Sequence, residues 1–311
     1  MAKWWQRAAA SGLRTCLRKM RSHVARWILL LALGALVAAP GTAQANRGAK
    51  GKAMTSAEFD QLMKGKDWSA VEVAGQAGPA IVPTLAPYLR SPDHVIRLLA
   101  VDSITAAGGP QAATLLIQSL KDPNEQVRGN AVNGLHRVLP LGHEAELLAA
   151  WDQSQTRDGY VRQQIPMILG LMKSTQSAGV LKARLSADPR QEVRDGVVAG
   201  LAKLGDAGAR DTFGEMLRDA RGKRTAELIE FVKYEDEPWV IPLLVPVLDR
   251  RDLAVDLSTH RREIHRRECD LAVDEVMRIS HAPFRFAMDP LAQYTDAQIA
   301  EVRHYAGTVG R

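Results

Sequence analysis

The stretch "ADPRQEVRDGVVAGL" at 187–201 decides how this chain is read, because "KDPNEQVRGNAVNGL" at 121–135 repeats its pattern. Each opens on Asp-Pro, places Val-Arg about one turn later and closes on Gly-Leu. The same step recurs as Ile96-Arg97 and Val161-Arg162, so Arg97, Arg128, Arg162 and Arg194 are spaced 31, 34 and 32 residues apart. A period of this length is the signature of a solenoid.

Three residues beyond each arginine stands Ala100, Ala131, Ile165 or Val197, and seven beyond it Ile104, Leu135, Leu169 or Leu201. Steps of three, four and seven trace one face of a helix. Upstream, Ser91-Pro92, Asp122-Pro123 and Asp188-Pro189 place an oxygen-bearing side chain before proline, which predicts that these residues cap the helix with proline at its first position. Gly134 and Gly200 fall inside the helix, where glycine costs about 1 kcal/mol relative to alanine. Their presence predicts close approach of a neighbouring helix.

A second helix follows in each unit, at 109–120, 143–151, 178–185 and 209–217, so the units are helix hairpins. The plan continues outward into "GPAIVPTLAPYLRS" at 78–91 and "EPWVIPLLVPVLDR" at 237–250, where Pro79, Pro83 and Pro87 answer Pro238, Pro242 and Pro246. Interior prolines remove helix hydrogen bonds and clash with the preceding turn, so both segments should be bent or shortened. "LAVDEV" at 271–276 echoes "LAVDSI" at 99–104 and predicts another first-type helix across roughly 258–280. Thr55 with Glu58, and Thr295 with Gln298, have capping-box spacing. The first predicts a short leading helix; the second lies in a terminal cap read at 281–311.

The N-terminal 45 residues carry seven basic residues and no Asp or Glu, so they account for all of the formal charge of +6, the remainder summing to −1. The apolar run "WILLLALGALVAA" at 27–39 and the small-residue ending "AQA" at 43–45 make this an export signal cleaved after Ala45. Translation is expected to start at Met20, which leaves a leader of ordinary length. The run is shorter than the roughly twenty apolar residues of a spanning helix, so a removed signal is expected and membrane contact at most peripheral. Residues 46–54 lack an apolar pattern and read as a flexible linker. With Cys16 in the leader, Cys269 is the remaining cysteine, and no internal disulfide is expected after processing.

The Asp-Pro opening, the Val-Arg step and the Ala/Leu face resemble HEAT repeats, especially the short bacterial HEAT-like kind, over about residues 68–280. The resemblance implies an all-α fold: an alpha-alpha superhelix of about seven hairpins, with first helices outside and second helices lining a concave surface. It also implies a hydrogen-bonded ladder between successive units, here mapping to Asp122, Asp188, Arg97, Arg128, Arg162 and Arg194. Ser91 and Thr156 stand where the other units would have the aspartate, so the ladder is expected to be incomplete there. Polar residues off the apolar face of the second helices, Thr114, Gln118, Glu146, Lys182 and Arg218, form the expected protein-binding groove.

Chemistry has one candidate locus, "STHRREIHRRECD" at 258–270. His265 and Cys269, four apart, would share a helix face as zinc ligands or as a thiol site. His260 points elsewhere at five residues' distance. Two ligands fall short of a metal site, so no cofactor is expected and the favoured reading is a solvated helix face with Cys269 buried as a small apolar residue. The basic residues at 250–251, 261–262 and 266–267 could attract an anionic partner, but interleaved acids weaken that reading. The chain has no Gly-rich phosphate loop, no Gly-x-Ser-x-Gly, no Cys-x-x-Cys and no His-Glu-x-x-His. Among HEAT-like enzymes, deoxyhypusine hydroxylase uses several His-Glu pairs where this chain has only His143-Glu144, and bilin lyases handle a cytosolic pigment that an export signal argues against. The expectation is therefore an exported scaffold or adaptor that binds another protein, without nucleic acid and without catalysis, in the periplasm or outside the cell. The alternative is a metal- or thiol-dependent enzyme around His265 and Cys269.

Overall fold

The computed structural model describes residues 56–153, 158–259 and 262–309. They belong to the second of two compact units, Met54–Arg311. The leader, its cleavage site, the 46–54 linker, Thr55, Thr156, His260 and Arg261 lie outside the described residues.

Helices α1 (Ser56–Lys64) and α2 (Ser69–Ala77) lead into the first proline-rich segment. There a 3-10 turn (Gly78–Ile81), a single α-turn, α3 (Val82–Leu85), and a second 3-10 stretch (Ala86–Arg90) follow one another. Each proline stands at the first or second position of its own turn, where its missing N–H withdraws no hydrogen bond. The segment is thus a chain of restarted turns. Four regular hairpins follow: α4 (His94–Ala107) with α5 (Pro110–Ser119), α6 (Glu125–Val138) with α7 (Glu144–Gln153), α8 (Gly159–Leu171) with α9 (Ala178–Leu185), and α10 (Gln191–Lys203) with α11 (Ala207–Asp219). Helix α12 (Lys223–Glu235) precedes the second proline-rich segment, which breaks up in the same way around α13 (Ile241–Leu244). The chain ends with β1 (Leu253–Asp256), β2 (His265–Arg267), α14 (Glu268–Ser280) and α15 (Asp296–Ala306).

Successive first helices, α2, α4, α6, α8, α10, α12 and α14, each pack on the next, giving an all-α stacked array in the manner of a HEAT-like solenoid. The core is mostly small and aliphatic, one cluster running from Phe59 to Ala209 and a second from Met167 to Ala306. They meet at α10, whose residues from Val193 to Ala202 are nearly all buried. Glycine makes that crowding feasible: a Cβ at Gly196 would fall 2.2 Å from the Gln163 carbonyl oxygen, and one at Gly200 2.3 Å from that of Pro166. The backbones of α8 and α10 are in direct contact there, which offsets the helix propensity that glycine forfeits.

The helix starts differ from the sequence expectation by two residues. Helices α4, α6 and α10 have Asp93, Asn124 and Arg190 as N-caps. Ser91, Asp122 and Asp188 instead close a turn across the proline, accepting from the N–H two residues on at 3.2, 2.8 and 3.1 Å. An Asx turn occupies one carboxylate oxygen and leaves the other for a neighbour. Arg97 uses both, donating from Nε (2.7 Å) and Nη2 (2.9 Å) to Asp122, while its Nη1 donates to the Ser91 carbonyl at 2.8 Å. Arg162 donates to Asp188 at 2.5 Å, and Arg194 to the Asp188 carbonyl at 2.8 Å.

The joint expected to lack an acceptor has one. Arg128 donates from Nε to Asp158 at 2.5 Å and from Nη1 to the Asp122 carbonyl at 2.8 Å. Asp158 is the N-cap of α8 and also accepts from the Val161 N–H at 3.2 Å. It stands four residues before Arg162, in the register of Asp93, Asn124 and Arg190, whereas Thr156 holds the register of Asp122 and Asp188. A different position of the motif supplies the same carboxylate.

The helix expected across 258–280 begins only at Glu268. Before it, β1 and β2 form an antiparallel hairpin pairing Leu253 with Arg267, Val255 with Arg266 and Asp256 with His265, with an irregularity between Leu253 and Val255. The echo of the repeat is real within α14, but the charged stretch upstream alternates inward and outward as a strand. Arg266 is 1% exposed and donates to Asp274 at 2.6 Å. Asp270, also buried, accepts from the Arg267 and Tyr294 N–H groups at 2.8 and 3.0 Å and from Arg267 Nη2 at 2.7 Å. Burial alone would raise the Asp270 carboxyl, but these donors hold it below its ordinary value. This is a packed ionic node, not a solvated helix face. Helix α15 starts with the capping box that its spacing predicts, Gln298 N–H donating to Thr295 Oγ1 and Thr295 N–H to Gln298 Oε1.

Candidate functional site

The second helices present a run of exposed polar side chains on the repeats. Each turns large apolar residues inward: Leu116 and Ile117 on α5, Leu147 and Trp151 on α7, Leu181 on α9, Phe213 and Leu217 on α11. Helical spacing then sends the intervening positions to solvent, and Thr114, Gln118, Glu146, Lys182 and Arg218 are all exposed.

The structure divides these five. Thr114, Gln118 and Glu146 line one cleft between α5 and α7, together with Ile117, Lys121, His143 and Ala149. The cleft holds about 210 Å³ and offers an apolar floor with hydroxyl, amide, imidazole and carboxylate groups at its edge. His143 Nδ1 lies 3.5 Å from Glu146 Oε1, an arrangement that keeps both on the α7 side. Lys182 is instead engaged by Asp206, and Arg218 stands two hairpins further along, where its main-chain carbonyl accepts from Arg250 at 2.7 Å.

One contributor near this cleft escapes the repeat pattern. The loop "LPLG" at 139–142 leads into His143, with Leu141 67% exposed and Leu139 held at φ +50°. A left-handed leucine is a strained backbone position. An exposed apolar pair on such a loop is the kind of feature that a binding partner covers. The sequence signal was the two leucines flanking a proline in the short connection before α7.

The locus at 258–270 does not assemble as expected. His265 lies in β2, where its Nδ1 is 3.5 Å from Asp256 Oδ1, while Cys269 opens α14 and is fully buried, so they share no helix face. Burial pushes the Cys269 thiol up and the Asp270 charge adds to it, the opposite of what an attacking thiolate requires. Among the described residues no group of three or more His, Cys, Asp or Glu could hold a metal ion. Of the basic residues read as inviting an anion, Arg250, Arg251, Arg266 and Arg267 are committed internally, whereas Arg262 is exposed. Arg250 donates to the carbonyls of Leu217, Arg218 and Ala220, Arg251 to Asp296, Arg266 to Asp274 and Arg267 to Asp270. A second open cleft, of about 730 Å³, lies in the C-terminal region between Arg285–Phe286 and α15. Its Thr295 and Gln298 are engaged in the capping box, and Glu301 accepts from the Arg285 N–H at 3.0 Å.

Among the described residues no helix is long and apolar enough to cross a membrane. The stacked hairpins define a HEAT-like α-solenoid, and the family model for HEAT repeats matches residues 66–136, from just before α2 to near the end of α6. Among solved structures the chain is similar to one in the structure of the complex of CpcE and CpcF of phycocyanin lyase from Nostoc sp. PCC7120. The two share 13% sequence identity with a TM-score of 0.50, over 86% of this chain and 100% of that one. That likeness is one of fold. No curated protein matches the sequence.

Proposed function

We propose that this protein is an exported scaffold or adaptor that binds a protein partner through its second helices, with the α5–α7 cleft as the centre of contact, and has no catalytic activity of its own. The cleft carries the reading: Thr114, Gln118 and Glu146, singled out by repeat position, meet in one concavity beside an exposed apolar loop. An apolar centre with polar groups at its rim is the usual anatomy of a protein-binding patch. The ion-paired joints on either side hold that surface in one shape, which lowers the ordering cost of binding. The similar solved structure is of a complex between two proteins, a use of the fold in keeping with this one. Its lyase activity is not carried over, since the likeness is of fold alone.

A photo-crosslinking residue at Gln118, with one at Arg137 on α6 as control, tests the reading in living cells. A defined adduct from Gln118 and none from Arg137 supports it; equal, diffuse labelling from both removes the cleft as the contact surface. The proposed export is tested separately by the mature N-terminus, which mass spectrometry should place at Asn46. A chain that keeps residues 20–45 would count against removal of the leader.

A further inference from the structure

The C-terminal ends of the first helices are also tied together. Lys173, just past α8, donates to the Lys203 carbonyl at 3.1 Å, and Lys203, closing α10, donates to the carbonyl of Glu235, the last residue of α12. An ammonium at a helix C-terminus meets the negative end of the macrodipole. Glu237 then gathers the cations, with Lys173 at 3.3 Å, Lys203 at 3.4 Å and Arg210 of α11 at 3.6 Å.

Within this cluster the Glu235 carboxyl is anomalous. It is fully buried, and among the described residues neither of its oxygens has a hydrogen-bond partner. Lys203, the cation best placed to serve it, spends its ammonium on the Glu235 main chain and on Glu237. The groups facing it are Lys203 from α10, Arg210 from α11, Lys173 from the end of α8 and Glu237 on the next turn. The Tyr234 phenol beside it donates to the Met167 carbonyl at 2.7 Å. On the α14 side Arg278 is engaged by Asp236 at 2.5 Å and Glu275 at 2.8 Å, and on α12 itself Lys233 pairs with Glu230 at 2.7 Å. A buried carboxyl without donors favours its neutral form.

We propose that Glu235 is a proton-operated latch on the joint between α10 and α12. Protonated, it is a neutral side chain that stays inside and leaves Lys203 free to clasp the end of α12. When it gives its proton to water, the carboxylate competes with its own main-chain carbonyl for Lys203, and the last turn of α12 unfastens from α10. The joint lies where the two hydrophobic clusters meet, so its opening loosens one part of the array from the other. Burial pushes the carboxyl up, Lys203 opposes and Glu237 reinforces, leaving it at about 8, so the latch loosens between the ordinary value of 4.5 and about 8.

Hydrogen exchange read by mass spectrometry on the full chain tests this, following peptides across the end of α12 in mildly acidic to mildly alkaline buffers and correcting for the intrinsic exchange rate. Wild type should keep full protection near pH 4.5, lose it progressively, at least tenfold in all, as pH rises toward about 8, and change no further above that. Glu235→Gln should stay protected throughout, and Glu235→Leu, which also has no proton to lose, should give the same flat profile should the amide disturb folding. Glu237→Gln should still lose protection with rising pH, but level off at a lower pH and lose less in all. A flat profile in wild type, or an unchanged transition in both Glu235 variants, overturns the proposal.

Discussion

Removing the Asp158 carboxylate should loosen the joint between α6 and α8 in two separable steps. Asp158 accepts from Arg128 Nε at 2.5 Å and caps α8 through the Val161 N–H at 3.2 Å. Both side chains of the ion pair are largely buried, at 20% and 16% exposure, so the contact is worth more than a surface pair. Asp158→Asn keeps an N-cap of equal rank but loses the charge, and a hydrogen bond to an ionised group contributes about 1.5–3 kcal/mol, part of which the amide oxygen retains. A loss of about 1–2 kcal/mol is expected. Asp158→Ala loses the cap as well, worth about 1 kcal/mol, for a total of about 2–4 kcal/mol. For an array of this size each kcal/mol moves the melting temperature by about 2–4 °C, giving a drop of about 2–8 °C for the amide and about 4–16 °C for the alanine. Thermal melts followed by far-ultraviolet circular dichroism read both. The reasoning fails if Asp158→Asn melts like wild type, or if the alanine costs no more than the amide.

Two further outcomes follow from particular contacts. Gly196→Ala should destabilise by at least about 2 kcal/mol, because its Cβ would fall 2.2 Å from the Gln163 carbonyl oxygen. Gly129→Ala, inside α6 where a Cβ would meet no described atom within 4 Å beyond its own helix backbone and chain neighbours, should stabilise by about 0.5–1 kcal/mol; denaturant titration of both checks the contrast. Burial would raise the Asp188 carboxyl, but hydrogen bonds from Arg190 and Arg162 outweigh it and hold the group at about 2. A depressed carboxylate stabilises the fold fully above its unfolded value near 3.8 and progressively less as pH falls toward about 2. Asp188→Asn should therefore cost stability at neutral pH and nearly none at the acid end, as melts across that range would show.

The repeat carried the fold because period and helical face were both written in the chain: an arginine every thirty-odd residues, with aliphatics three and seven beyond. The same regularity misled where one function moved between positions. Aligned on Asp-Pro, the third joint has Thr156 and reads as empty; aligned on the residue four before the arginine, Asp158 is visible, and the longer spacing of 34 was the clue. At 253–267 an extrapolated repeat hid a strand pair, because its alternation buries an arginine, Arg266, where apolar residues are sought. The three cleft residues were legible as polar positions on amphipathic helices. Leu139 and Leu141 were marked only by the proline between them, since loops carry no period. Glu235 had a signal that went unread: it lies three and seven residues beyond Val232 and Leu228, on the apolar face of α12.

Zero-length carbodiimide crosslinking of the full chain, mapped by mass spectrometry, tests the stacked array most directly. A one-dimensional stack lets each hairpin touch only its near neighbours, and the ion pairs follow that rule, from Lys182 with Asp206 to Lys173 with Glu237. The account predicts amide links at those pairs and at Lys66 with Asp93, with every intramolecular link within residues 56–309 joining the same, adjacent or next-but-one hairpins. Links between the α1–α4 region and the α12–α15 region of a monomer would contradict it.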